Sequence, residues 1–342
     1  MKDINLSYVK LFFSLSLILF YLLSIITPGT IFPATIKSNH QSPSSLLLAS
    51  PDWFSVKTRH FVIRYTKKDT YFAQELKNLA EKYFDNVTNH IGLYPTKKIT
   101  IYIAASKKTF LKLQPSSSKI GDQVIGLAYP NLHRILLLSP RAISSGHIQL
   151  KKIFIHELTH IVLGATYQNK SPVHIPKWFN EGLSMYEAKQ WNWQYRMLMT
   201  RICLKGDIIA FRELEHSFPV DSIHLNIAYA QSFSLISFIL NKYGQNSLRD
   251  ITRALIQGDR IDKALNKVIG LDLYGLEIVW KKHLRLIYTW VPVLTSSLSL
   301  WFVISLIFLL VYYQKKRASR AKLYAWEEEE IEEWLKKELN DL

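Results

Sequence analysis

Two uncharged apolar runs bracket this chain of 342 residues and limit what the rest of it can become. Residues 11–27 read LFFSLSLILFYLLSIIT, and residues 290–313 read WVPVLTSSLSLWFVISLIFLLVYY. A bilayer core about 30 Å thick takes about 20 helical residues, so the second run is long enough to span it with some tilt. Trp290, Trp301, Tyr312 and Tyr313 suit the membrane interfaces. The first run follows Lys2 and Lys10 and reads as a signal peptide or, since no clean small-x-small cleavage site follows, as an uncleaved anchor. Lys315, Lys316, Arg317, Arg320 and Lys322 lie beyond the second run, against Lys281, Lys282 and Arg285 before it. That bias favours a cytoplasmic C-terminus. Both termini are then cytoplasmic if the first run stays attached, and everything between lies on the far side of the membrane.

The domain plan follows. Residues 1–28 are the signal peptide or N-terminal anchor. Residues 29–52, rich in Ser and Pro, are a linker. Residues 53–288 are the folded domain, 289–313 a transmembrane helix, and 314–342 a cytoplasmic tail. In that tail Ile331, Trp334, Leu335, Leu339 and Leu342 form one helical stripe, suited to docking a cytoplasmic partner or to a soluble amphipathic helix.

Charge and cysteine narrow the setting. Residues 1–10 carry a net +1 and residues 314–342 a net −1, so the whole formal charge of +16 rests on residues 11–313. A basic exported domain suits attraction to anionic lipid headgroups or wall polymers, selection of acidic substrates, or equally a plain, evenly solvated lysine-rich surface. No nucleic-acid motif accompanies the charge, and the location argues against that partner. Cys203 is the single cysteine, so no intrachain disulfide forms and the domain relies on its own core. The expected setting is the cytoplasmic membrane of a bacterium.

Between the runs lies His156-Glu-Leu-Thr-His160. The surrounding Ile148, Leu150, Ile153, Phe154, Leu158, Ile161, Val162 and Leu163 predict a mostly buried helix, and Gly164 a stop. On a helix of about 3.6 residues per turn, residues four apart share a face, so both imidazoles can reach one ion. Glu157 falls beside them. Twenty-one positions on, Glu181 sits within Trp178-Phe-Asn-Glu-Gly-Leu183, on a second predicted helix opened by Pro176. Catalytic zinc takes three protein ligands of imidazole and carboxylate type and keeps one position open. His156, His160 and Glu181 supply that set. Gly182, lacking a side chain, is expected to let the two motif helices approach closely.

Elsewhere strands are predicted over residues 60–65 and 98–104, and helices over 72–91 and 109–113. Gly126-Leu-Ala-Tyr-Pro130 and Arg134–Ser139 predict a hairpin whose outer strand carries Gly and Pro, as edge strands tolerate. Helices over 227–243, 247–257, 259–269 and 274–287 follow, punctuated by Gly244, Gly258 and Gly270.

These motifs resemble the gluzincin metallopeptidases, in the peptidase MA-like branch related to the leukotriene hydrolase and aminopeptidase family. The matching pieces are His156–His160, Trp178–Glu187, and Tyr229-Ala-Gln-Ser232 leading into a helix that ends Tyr243-Gly244. The resemblance spans roughly residues 58–285. It implies an α+β fold, with a small mixed sheet whose edge strand packs on a zinc-binding helix pair, then a helical C-terminal part. It implies that Gly126, Leu127 and Ala128 bind a peptide backbone on the strand edge. Related aminopeptidases carry a glutamate there to hold the free amino group, and Gly126–Pro130 has no acid, which points to an endopeptidase acting on a peptide or protein.

The expected chemistry is peptide hydrolysis assisted by Zn2+. Glu157 would take the proton of a water and pass it to the leaving amine. Tyr229 is the expected donor to the oxyanion because related aminopeptidases place a tyrosine there, with His224 as its competitor. Three further readings bear on the site. A catalytically idle module of the same fold would bind an envelope partner or polymer instead. An intramembrane protease is disfavoured, because the segment holding His156 is too polar and too short to span a bilayer. Glu187, six residues past Glu181, falls on another face and is assigned no role beside the metal.

Overall fold

The computed structural model describes residues 53–115, 124–143, 147–164, 174–290 and 297–340. The N-terminal apolar run, the linker and residues 291–296 lie outside them. The chain divides into two compact units, the first comprising residues 1–89 and 93–168, the second residues 90–92 and 169–342.

The first unit is built on a five-stranded mixed sheet. Its strands are β1 Trp53–Lys57, β2 Phe61–Thr66, β3 Ile99–Ala104, β4 Gly126–Tyr129 and β5 Arg134–Leu138, in the order β1-β2-β3-β5-β4. β2, β3 and β5 run parallel, while β1 and β4 pair antiparallel at the two edges. Alternation along β2 turns Phe61, Ile63 and Tyr65 inward, with Ile99, Ile101, Ile103, Ile135 and Leu137 on the same side. Helices α1, Thr70–Ile91, and α3, His147–Gly164, cover that side. Phe61 meets both, with its ring 5.7 Å from Phe84 of α1 and 5.8 Å from Phe154 of α3. A short helix α2, Lys107–Lys112, is capped by Ser106, which accepts from the Thr109 N–H.

Buried polar groups fix the register. Asp69 is wholly buried and accepts from Thr66 Oγ1 (2.7 Å), Ser139 Oγ (2.6 Å) and Arg141 Nη2 (2.9 Å), tying the end of β2 to the end of β5. Glu81 of α1 accepts from the His60 N–H at 2.8 Å. The opposite face of the sheet is aromatic and basic, with the Arg64 and Arg134 guanidinium groups 5.7 and 5.4 Å from the Tyr102 ring centre.

The second unit is helical. It holds α4 Lys177–Glu187, α5 Trp193–Lys205, α6 Ser222–Tyr243, α7 Gln245–Ile256, α8 Ile261–Ile269, α9 Leu273–Leu284, a π-helical turn Arg285–Trp290, and α10 Ser297–Asn340. Asn192, Asp221 and Asp272 cap α5, α6 and α9 by accepting from backbone N–H groups three residues on. Gly206 and Gly270, at φ 82° and 75°, close α5 and α8 in the left-handed region. An aromatic layer fills the interior, with Trp178 to Phe211 at 5.2 Å and Phe211 to Trp280 at 5.0 Å between ring centres.

The sheet, its edge strand and the helical C-terminal part agree with the sequence reading, and the departures have physical causes. β1 was not foreseen, because WFSVK shows no clean alternation and most of it is exposed. Pro176 stands before α4 as its cap residue rather than inside its first turn. Gly182 does admit a close neighbour, but the neighbour is α6. A Cβ there would lie 2.5 Å from the Ser232 carbonyl oxygen. Among the described residues one helix, α6, is long and apolar enough to cross a membrane, and 67% of the relevant window is buried, as in a core helix. The second expected span from Ser297 on and the amphipathic tail as far as Asn340 fall on α10, a helix of 44 residues whose Leu300–Tyr313 stretch exposes large apolar side chains, while residues 291–296 and 341–342 of those segments lie outside the described residues.

Candidate metal centre

α3 carries the first half of the motif through the heart of its unit. Leu150, Ile153, Phe154, Leu158, Ile161 and Val162 bury it, which carries the intervening polar residues inside as well. His156, Glu157 and His160 are all at most 2% exposed. Their spacing does what helical geometry requires, placing the His156 and His160 ring centres 4.8 Å apart in an edge arrangement. Thr159 returns its hydroxyl to the Ile155 carbonyl at 2.9 Å and stays out of the way.

The edge strand explains its own glycine. A Cβ on Gly126 would stand 2.4 Å from Ile153 Cγ2 and 2.8 Å from Glu157 Oε1, so only glycine leaves the Glu157 carboxylate its place. β4 is the last strand in the order and pairs with β5 alone, so its outer edge has no strand partner among the described residues. Leu127 and Ala128 lie on that strand, both buried. Tyr129, which the sequence reading passed over, completes it. Its buried hydroxyl has no hydrogen-bond partner among the described residues. Burial, joined by the Glu157 carboxylate and opposed by Arg134, raises its pKa above the ordinary phenol value.

α4 carries the other half. Glu181 is fully buried, and the Lys177 Nζ stands 3.8 Å from its Oε1, one turn earlier on the helix. The same ammonium lies 5.5 Å from the Phe218 ring centre, and Phe218 meets the Tyr229 ring edge-on at 5.2 Å. Lys177 and Phe218 thus connect Glu181 to Tyr229, a link invisible in sequence because it joins residues 48 apart through a loop residue. Tyr229 is buried, in the second turn of α6. His224 is exposed, and its Nδ1 is 2.8 Å from Asp221 Oδ1, the cap of its own helix. Glu187 points elsewhere, pairing with His90.

His156 and His160 of the first unit and Glu181 of the second supply the donor types of a candidate His-His-Glu metal site. Three buried groups of this type are costly to desolvate unless a cation or hydrogen bonds compensate them. The donor set fits zinc.

Comparison with known proteins gives the family. The family model of the Peptidase MA superfamily matches residues 80–286, more than half of the chain. The chain belongs to that superfamily, whose peptidases act on peptide or protein substrates. Its sequence finds no match among curated proteins. Among solved structures it is similar to native leukotriene A4 hydrolase from Saccharomyces cerevisiae, a gluzincin, at 14% identity and a TM-score of 0.40. The match covers 64% of this chain and 36% of that one, so the chain corresponds to about a third of that protein's length.

Proposed function

We propose that this protein is a membrane-anchored zinc endopeptidase whose active site lies outside the cytoplasmic membrane of a bacterium. The observation that carries the reading is the buried His-His-Glu group beside Glu157, in a chain of the Peptidase MA superfamily. His156, His160 and Glu181 would hold one zinc ion. Bound there, zinc would lower the pKa of a water and polarise the scissile carbonyl.

The chain's own residues do the rest. Glu157, kept in place by the missing side chain of Gly126, accepts the proton of the attacking water and delivers it to the departing amine. Leu127 and Ala128 lend the outer edge of β4 to the substrate backbone by strand addition. The Tyr229 hydroxyl donates to the oxygen on which negative charge develops. Gly126–Tyr129 presents no carboxylate to hold a free amino terminus, which favours cleavage within a chain. Anchoring is supported by the exposed apolar stretch Leu300–Tyr313, followed by Lys315, Lys316, Arg317 and Arg320.

Peptide-library cleavage by the full chain, wild type against Glu157→Gln, tests the activity. Internal cleavage by the wild type, lost in Glu157→Gln, is expected. No cleavage by either protein refutes the proposal in favour of an idle binding module, and release of N-terminal residues only refutes the endopeptidase assignment.

A further inference from the structure

Helix α5 buries Tyr195, Met199 and Ile202 and leaves a second apolar stripe in the open. Trp193, Met197 and Leu204 are 60%, 60% and 65% exposed. They are spaced four and seven apart, so they share one side of the helix. Arg196, Arg201 and Lys205 are exposed on the same helix. Residues 188–206 contain four basic residues and no acid. A water-facing helix would reverse this choice, putting mixed charges where the tryptophan, methionine and leucine stand.

Position identifies the occupant. α5 packs against the turn Arg285–Trp290. Tyr288 of that turn lies within electrostatic reach of Arg196 and Cys203 on α5. Leu286 and Ile287 are exposed in the same place. α10 begins at Ser297, seven residues past Trp290, and a chain reaches at most about 3.6 Å per residue. Trp290, the end of the turn against which α5 packs, is therefore held within about 25 Å of the start of the apolar helix that the proposed function puts in the bilayer.

Resting on that membrane-anchored reading, we propose that α5 lies flat on the outer surface of an anionic bilayer. Trp193, Met197 and Leu204 enter the boundary between headgroups and acyl chains, while Arg196, Arg201 and Lys205 meet lipid phosphates. A tryptophan and basic residues around an apolar face are what an interfacial helix needs. Lipid contact here would fix the orientation of the second unit on the membrane and direct it to substrates close to the surface.

The test uses the full chain in Cys203→Ser form, reconstituted in vesicles of phosphatidylcholine and phosphatidylglycerol. A nitroxide is placed in turn at Met197→Cys, Ile307→Cys and Asn266→Cys, the last an exposed polar position on α8. Collision with oxygen reports lipid, and collision with a water-soluble nickel chelate reports water. The oxygen-to-nickel ratio is expected to be at least about threefold higher at Met197 and Ile307 than at Asn266. A high ratio at Ile307 with Met197 equal to Asn266 overturns the α5 proposal and leaves the anchor standing. Equal ratios at all three positions overturn the anchor and this proposal with it. Quenching of Trp193 by brominated phospholipid, read as the difference from Trp193→Phe, gives the same contrast without altering Cys203. Absence of that quenching likewise overturns the proposal.

Discussion

Gly182→Ala sets a helix-propensity gain against a steric loss, and the structure decides which wins. Alanine in a helix interior is favoured over glycine by about 1 kcal/mol. Here its Cβ would meet the Ser232 carbonyl oxygen at 2.5 Å and the carbonyl carbon at 2.7 Å. Both are backbone atoms of α6, so no side chain can swing aside, and α4 must move from α6 by much of an ångström. Overpacking of this kind costs about 1–3 kcal/mol, and backbone contact puts it at the upper end, so the net expectation is a loss of about 2 kcal/mol. In a folded region of this size that lowers Tm by about 4–8 °C. Because Glu181 rides on α4 next to the substitution, zinc affinity should also fall by about tenfold or more. The assay is thermal unfolding of the detergent-solubilised chain by circular dichroism, with zinc affinity by competition against a chelating dye. Gly275→Ala is the control, since its tightest contact is the Asp272 carboxylate at 3.1 Å, an exposed cap that can adjust, with Leu271 at ordinary contact distance, and it should change stability by less than about 1 kcal/mol. A Tm for Gly182→Ala equal to or above wild type would refute the packing argument.

Gly126→Ala should lower peptide hydrolysis by about tenfold or more while leaving zinc content intact, because the added methyl displaces Glu157 rather than a metal ligand. Kinetics with metal analysis on the same sample separate the two effects. Asp69→Ala should cost about 1–3 kcal/mol in denaturant unfolding, since it removes the buried acceptor shared by Thr66, Ser139 and Arg141 while the Arg141 guanidinium left behind is exposed to water. A hydrogen bond to Glu187 raises the His90 pKa above the ordinary imidazole value, against the opposing effect of burial. Protonated His90 is thus favoured in the folded state. Its stabilisation is fully present below the unfolded imidazole value of about 6.5 and is lost as pH rises through the folded value. His90→Gln should remove that part of the pH dependence of Tm.

What the sequence disclosed follows from the range of the interactions involved. His156, Glu157 and His160 are legible because a helix converts a spacing of four into a shared face, and the buried pattern of α3 says which face is inside. Glu181 is legible because its own helix carries a second motif. The role of Gly126 is not, since the atoms it must avoid belong to Ile153 and Glu157 on another element. Gly182 was read toward the wrong neighbour for the same reason, as a missing side chain marks a close approach without naming the partner. Lys177 and Phe218 escaped because a single contact through a loop leaves no periodic trace. α5 was not predicted, because Trp193, Met197 and Leu204 on one side and Tyr195, Met199 and Ile202 on the other blur its period. That ambiguity marks a helix with two apolar environments, the core and, on the proposal above, the bilayer.

On the proposed function, His156, His160 and Glu181 hold one catalytic zinc ion. Metal analysis of the full chain, purified without chelator beside Glu181→Ala, tests it most directly. One zinc per wild-type chain, with stoichiometric binding lost in Glu181→Ala, is the predicted result. Zinc-free wild-type protein that takes up none on addition, or zinc retained equally by both proteins, would contradict it.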